Sequence, residues 1–231
     1  LELERISVGD HILLGGDNMD LALGYTLKAE LEGQGKKIDH QQFLSLVHAC
    51  RLGKEKLFSE SRLDNYPISL PSRGSGFFSR AISVNLSRDL VNRVILEGFF
   101  PVSGIDQQPA RKRQSGLREF GLDYAADPAL SKHLAQFLTR SWKNIHSNEE
   151  LQVKVGDRSG ESDGIGFIRP NLVLFNGGVF KADPVRQRVL DLLSAWNNGS
   201  PVTELADSHL DLAVAKGAAS YGRTLASGEG I

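Results

Sequence analysis

Apolar and polar positions alternate imperfectly from Glu2 to Leu14, which predicts a strand, and the period becomes helical after Gly15-Gly16-Asp17-Asn18. Asp17 or Asn18 is the expected cap of a helix whose apolar face carries Leu21, Leu23, Leu27 and Leu31, stopped by Gly33-Gln34-Gly35. A second helix, about Gln41 to Glu60, brings Phe43, Val47, Cys50, Leu57 and Phe58 near one stripe. Ile68 to Leu70 and Phe77 to Leu86 read as strands of a hairpin closed by Pro71-Ser72-Arg73-Gly74-Ser75-Gly76. Ser87 caps a helix through about Glu97, and a polar loop runs from Pro101 to Gly116.

Asp127-Pro128 opens another helix, with Leu130, Leu134, Phe137 and Leu138 as its expected buried face. From Ser147 to Gly166 the polar, glycine-rich sequence predicts a mobile connection with one small strand around Leu151, Val153 and Val155. NLVLFN, 171–176, is a short β-favouring run followed at once by Gly177-Gly178. Asp183-Pro184 starts a helix with Val185, Val189, Leu192 and Leu193 inward, and Thr203 to Ala206 offers an edge strand. The chain closes with a small-residue helix, Asp211 to Leu225, whose Gly217, Ala218, Ala219 and Gly222 permit close approach to a neighbour. No internal repeat is evident.

Length and composition set the class. The 231 residues, 40% hydrophobic and 24% charged, are enough for one substantial core or two modest ones in a globular protein. With 27 basic and 28 acidic residues the formal charge is −1, which gives no footprint for nucleic acid. The single Cys50 cannot form an internal disulfide, so a reducing, cytoplasmic setting is expected. No apolar run approaches the roughly 20 residues of a membrane span, and LELERISVGD has no signal-peptide pattern. A start at Leu1 rather than Met predicts a piece of a longer protein.

Two places share one design: a strand ends, a glycine pair turns the chain, and a helix begins. At Gly15-Gly16 and Gly177-Gly178 the backbone admits a close ligand, and free N–H groups with the helix dipole favour an anion such as phosphate. Either pair alone is better explained as a tight turn needing positive φ than as a nucleotide contact. Other candidates carry less. Arg111-Lys112-Arg113 lacks an aromatic platform, and His11, His40, His48, His133, His146 and His209 are too scattered for a metal cluster. Cys50 reads as packing, and the glycines and serines of 72–79 as a hairpin turn.

The order of four segments carries more than any one. LLGGDNMD (13–20), LVHACRLGKEKL (46–57), NLVLFNGGVFKADPVRQRVLDLL (171–193) and LDLAVAKGAASYG (210–222) resemble the heat-shock protein 70 family of ATP-dependent chaperones. In that family a Leu-Gly-Gly-Glu-Asp-Phe-Asp segment, an Ala-Cys-Glu-x-Ala-Lys helix, a Val-Gly-Gly-Ser-Thr-Arg loop and an Asp-Glu-Ala-Val-Ala-x-Gly-Ala-Ala helix follow in the same order. The likeness covers about 1–100 and 170–225, and 101–169 has no counterpart.

The resemblance implies an α/β, actin-like ATPase lobe of ribonuclease-H-like architecture, with a mixed sheet, flanking helices and an inserted smaller α+β subdomain. The base would be 1–20 with 85–231, partly a divergent expansion over 101–169, and the outer subdomain 21–84. It also implies ATP or ADP with magnesium in the longer protein, with none held tightly by this chain. Adenosine would lie between Lys54 and the Gly177-Gly178 loop, with Gly15 and Gly16 near the phosphates, Lys181 in place of an arginine beside the base, and Asp211 close by. Implied partners are a first lobe of the same chain, a J-domain co-chaperone, a nucleotide exchange factor and unfolded polypeptide, with no nucleic acid and no membrane.

Four positions depart from the family pattern. Arg51 replaces a glutamate, Glu55 an arginine, Phe58 a serine and Val179 a serine, and an inverted Arg51–Glu55 pair at i,i+4 alters the adenosine face. The family's catalytic lysine, magnesium-organising aspartates and two phosphate loops have no match here. Losing three charge-assisted phosphate contacts at about 1.5 kcal/mol each removes about 4–5 kcal/mol, or about three orders of magnitude. Millimolar nucleotide binding at best and no turnover are expected of this chain. The alternatives are an actin-like scaffold that docks partners after losing hydrolysis, and a sugar or acetate kinase of the same superfamily.

Overall fold

The computed structural model describes residues 5–71, 81–110, 127–155, 159–162, 164–205 and 210–228. Its mixed α/β architecture consists of helices flanking three small sheets. Helices α1 (Gly16–Gly33) and α2 (His40–Ser59) lead into strands β1 (Asn65–Leu70) and β2 (Ile82–Ser87), and α3 (Arg88–Asn92) runs on into a π-helical turn, Arg93–Glu97. Then come α4 (Leu130–His146), α5 (Glu149–Val155), β3 (Ser159–Ser162), β4 (Ile165–Ile168), β5 (Leu172–Val173), a 3₁₀ turn (Gly178–Lys181), α6 (Asp183–Trp196), β6 (Thr203–Glu204) and α7 (Ala213–Ser227). No helix among the described residues is long and apolar enough to cross a membrane.

The apolar stripes of α1 and α2 meet, burying Leu23, Leu27, Leu31, Leu46, Cys50 and Leu57. They approach closely because Gly24 has no side chain: a Cβ there would stand 2.6 Å from Val47 Cγ2. Burial pushes the Cys50 thiol up to about 12, with the nearby Asp20 adding to the shift, so it is packing rather than a nucleophile. Asp39, not Gln41, sets the start of α2, its carboxylate accepting the N–H of Gln42 at 2.9 Å. Arg88 reaches back to the other end and donates to the carbonyls of Leu57, Glu60 and Leu63 at 2.5–2.6 Å, satisfying acceptors the helix leaves open.

β1 and β2 form the expected antiparallel hairpin, Asn65 opposite Ser87 and Leu70 opposite Ile82. Its closing residues 72–80 lie outside the described residues, as do Arg111-Lys112-Arg113 and His209. Ser87 caps α3 as expected, its hydroxyl accepting from Leu90 N at 3.2 Å. Arg188 of α6 clamps the π turn, donating to Phe100 O at 2.9 Å and pairing with Glu97 at 2.7 Å.

Five expectations are corrected. Residues 5–14 form no strand: they run along α4, with Gly9 against Phe137, Ser7 hydrogen-bonded to Ser141, and Asp10 paired with Arg140. A strand needs a backbone neighbour, and a helix surface offers none. The expected mixed sheet is present among the described residues only as three separate pairs, β1–β2 and β3–β4 antiparallel and β5–β6 parallel across α6. The segment 147–166 holds a short helix and a hairpin rather than one strand, because Trp142 of α4 covers Gly166, where a Cβ would lie 2.3 Å from the indole. On α4 the small residues Ser131, Ala135, Thr139 and Ser141 are buried with Leu138 and Ile145, whereas Leu130, Leu134 and Phe137 are half-buried beside an apolar groove. Finally, α7 is helical as expected, but it buries no residue, and among the described residues nothing beyond the helix's own backbone lies within 4 Å of a Cβ built on Gly217 or Gly222.

Asp127 anchors α4. Its carboxylate accepts from Ala129 N and Ala110 N at 3.0 Å and from Lys132 at 3.1 Å. Burial pushes its pKa up, but these donors together outweigh burial and hold the carboxyl below its ordinary value of 3.8. A depressed folded pKa contributes stability above the unfolded value that is lost as pH falls through the folded one. Asp127→Ala is therefore expected to cost about 1–2 kcal/mol in urea unfolding at pH 7. At pH 3 its difference from the parent chain should shrink; an equal cost at both would contradict an ionised anchor. The helix itself starts at Leu130 with Ala129 as N-cap, not at the Asp127-Pro128 pair as expected.

Candidate functional site

A cleft of about 590 Å³ opens where the first turn of α1, one face of α2 and the segment Gly178–Val185 meet, with Asp211 at its edge. Of the residues singled out from sequence, Gly16, Arg51, Lys54, Glu55, Phe58, Gly178, Val179, Lys181 and Asp211 line it together. Gly15 and Gly177 are not in the lining; each precedes a lining glycine in the chain, Gly16 and Gly178.

Gly15, rather than Asp17 or Asn18, is the N-cap of α1. Asn18 serves the same end from inside the helix, its Oδ1 taking the Gly15 N–H at 2.8 Å. At the other corner, Gly177 has φ +97° and ψ 156°, a conformation open in practice only to glycine. After this pair a 3₁₀ turn, in which Phe180 N bonds Gly177 O at 3.2 Å, leads into α6, which begins at Asp183-Pro184 as expected. The two corners converge on Lys54. A Cβ built on Gly16 would stand 3.7 Å from both Lys54 Nζ and Val179 Cγ2.

Lys54 is only 8% exposed and Asp20 4%. Their charges approach to 2.6 Å, although the lysine N–H is poorly directed at Oδ1, and Nζ also faces Gly16 O at 3.5 Å. Burial dominates at Asp20, so its pKa lies above the ordinary carboxylate value despite the opposing pull of Lys54. Asp20 escaped the sequence reading, yet a signal for it was there. It sits three and seven residues before Leu23 and Leu27, on the apolar stripe of α1, where a carboxylate requires a buried cation. Asp17, Met19, Lys56, Ile95 and Val185 also line the cleft without having been singled out.

On the outer rim Arg51 pairs with Glu55 at 3.3 Å, as the i,i+4 spacing predicts, and Lys181 pairs with Asp211 at 2.5 Å. Among the described residues no three His, Cys, Asp or Glu side chains converge as a metal site. A separate apolar groove of about 660 Å³, between α4, residues 9–12 and the stretch after Pro170, contains none of the candidate nucleotide-binding residues. Neither protein-family models nor curated protein sequences give a match to this chain.

Proposed function

We propose that this chain is the adenosine-binding half of a two-lobed, actin-like ATPase of the heat-shock protein 70 type, with α1, α2 and the β1–β2 hairpin supplying the part that moves on nucleotide exchange. The observation that carries this reading is the meeting of the two glycine corners with Lys54 around one point at Gly16. The cleft has the size of a small-ligand site, about 300–1,000 Å³. Its apolar surfaces, Met19, Phe58, Ile95, Val179 and Val185, suit a purine, and the bare Gly16 leaves room beside it. ATP or ADP would be completed by a first lobe that also holds magnesium and the catalytic groups. In the whole protein the closing of the two lobes would gate capture of unfolded polypeptide in a cytoplasmic setting, with a J-domain co-chaperone and an exchange factor acting on the cycle.

Gly16→Leu tests the site. Its Cβ meets neighbours only at ordinary contact distance, so the chain should fold, while the longer side chain fills the cleft. In calorimetry on the intact protein, ADP affinity should fall about tenfold or more, the loss of about 1.4 kcal/mol or more of contact. An unchanged affinity would remove the cleft from nucleotide binding.

One observation favours a second reading, a partner-docking scaffold that no longer hydrolyses ATP: Lys54 is engaged by Asp20 inside the protein. Micromolar ADP binding by the intact protein would exclude a purely scaffolding role.

A further inference from the structure

Lys54 and Asp20 both line the cleft, yet neither satisfies the other. The ammonium has three N–H donors. Its contact with Asp20 Oδ1 is close, 2.6 Å, but angled so that this oxygen is left without a hydrogen bond, and its contact with Gly16 O is long at 3.5 Å. Gly16 has no side chain to cover Nζ, from which a Cβ would stand 3.7 Å. Lys54 therefore has donors to spare at the wall of the cleft.

Asp20 has no replacement for this partner. On its own helix Asp17 repels it, and α2 brings only Arg51, held on the rim by Glu55, and the buried thiol of Cys50. From the π turn and the stretch Gly178–Val185 come Ile95, Val179 and Val185, while Lys181 is held by Asp211 and Lys56 by Glu60. If the ammonium turns to an acceptor in the cleft, the carboxylate stays 4% exposed with its counter-charge withdrawn. A buried carboxyl in that position is more stable protonated. Burial already outweighs the pull of Lys54 on Asp20, so the balance leans that way before any ligand enters.

We propose that Asp20 is a positioning residue for Lys54, and that it takes a proton from solvent onto its carboxylate when a ligand acceptor draws the ammonium into the cleft. This role rests on the adenine-nucleotide reading and adds a linkage between occupancy and pH. The bound state has the higher Asp20 pKa, so protons favour binding. Affinity should be constant below the free-state value, itself above 3.8, and should fall by up to about tenfold per pH unit until the bound-state value is passed.

The test uses adenosine, which does not itself titrate near neutral pH. It is added to the 231-residue chain between pH 5 and 8, with affinity read from the amide signals of Gly16 and Val179 and the state of Asp20 from its carboxyl ¹³C signal. Affinity should fall about fivefold or more across this range, and saturation with adenosine should move the midpoint of the carboxyl titration upward. In Asp20→Asn, which has no proton to gain, affinity should vary by less than about twofold. A merely structural Asp20 would instead weaken binding equally at every pH. Should Asp20→Asn fail to fold, the carboxyl signal of the parent chain still decides. A smaller pH effect in the parent chain, a carboxyl midpoint that adenosine leaves in place, or a pH dependence that survives in Asp20→Asn would overturn the role while leaving the nucleotide reading standing. If adenosine moves no cleft signal at any pH, that reading fails and takes the role with it.

Discussion

Replacing Lys54 by methionine is expected to cost about 3–5 kcal/mol in urea unfolding at neutral pH, because it leaves Asp20 buried with no opposing charge. Asp20 has a raised folded pKa even with Lys54 present, so its contribution is fully favourable below the unfolded value and is lost as pH rises through the folded one. Without Lys54 that folded pKa rises further. The deficit of Lys54→Met should therefore shrink on acidification as Asp20 takes up a proton. Combining it with Asp20→Leu should recover most of the loss, since two apolar side chains can replace a buried ion pair at little cost. A loss below about 1 kcal/mol for the single variant would mean that water reaches the pair and that it behaves as a surface contact.

Gly177→Val is the second large effect. A β-branched residue cannot take φ +97° and ψ 156° without strain, so the turn must either store about 1–3 kcal/mol or change course. Changing course carries Val179 away from Gly16 and Lys54, and Lys181 away from Asp211. Adenosine and ADP binding should therefore disappear even if urea unfolding shows only a modest loss of stability. The neighbouring Gly178→Ala is the control, because nothing stands within 4 Å of its Cβ and its φ is not positive. Equal behaviour of the two variants would show that the Gly177 conformation is not what positions the corner.

The helices were legible because their signals are local. Ser87 and the Leu23, Leu27, Leu31 stripe state where a helix begins and which face it buries, and these need no knowledge of distant chain. The strands depended on neighbours. Residues 5–14 have an alternating pattern, but alternation alone forms no ladder when the adjoining surface is α4. The β3–β4 hairpin was hidden for the converse reason: Ser159–Ser162 has little β-favouring character, and its partner strand is held by the packing of Gly166 under Trp142. The cleft was largely legible, since its glycine corners and the Lys54 helix were marked by residue type and order. What sequence spacing withheld was the charge state of the site. Neither the Asp20–Lys54 pair nor the Lys181–Asp211 contact joins residues close in the chain, so each becomes visible only when the elements are folded together.

The close passage at Gly24 has a mechanical consequence. Helices α1 and α2 are fastened at two separate points, by the fit of Val47 over Gly24 and, about one turn nearer the start of α1, by Lys54 on Asp20. Two attachments remove the freedom of one rod to pivot about the other, so together they act as a single rigid jaw. The opposite jaw, from Gly177 to Val185, is held to Asp211 at the edge of the cleft by the solvent-exposed Lys181–Asp211 contact, a fastening worth no more than about 1 kcal/mol. Widening of the mouth is thus expected to displace that weakly held side first, with the helix pair staying together as one body.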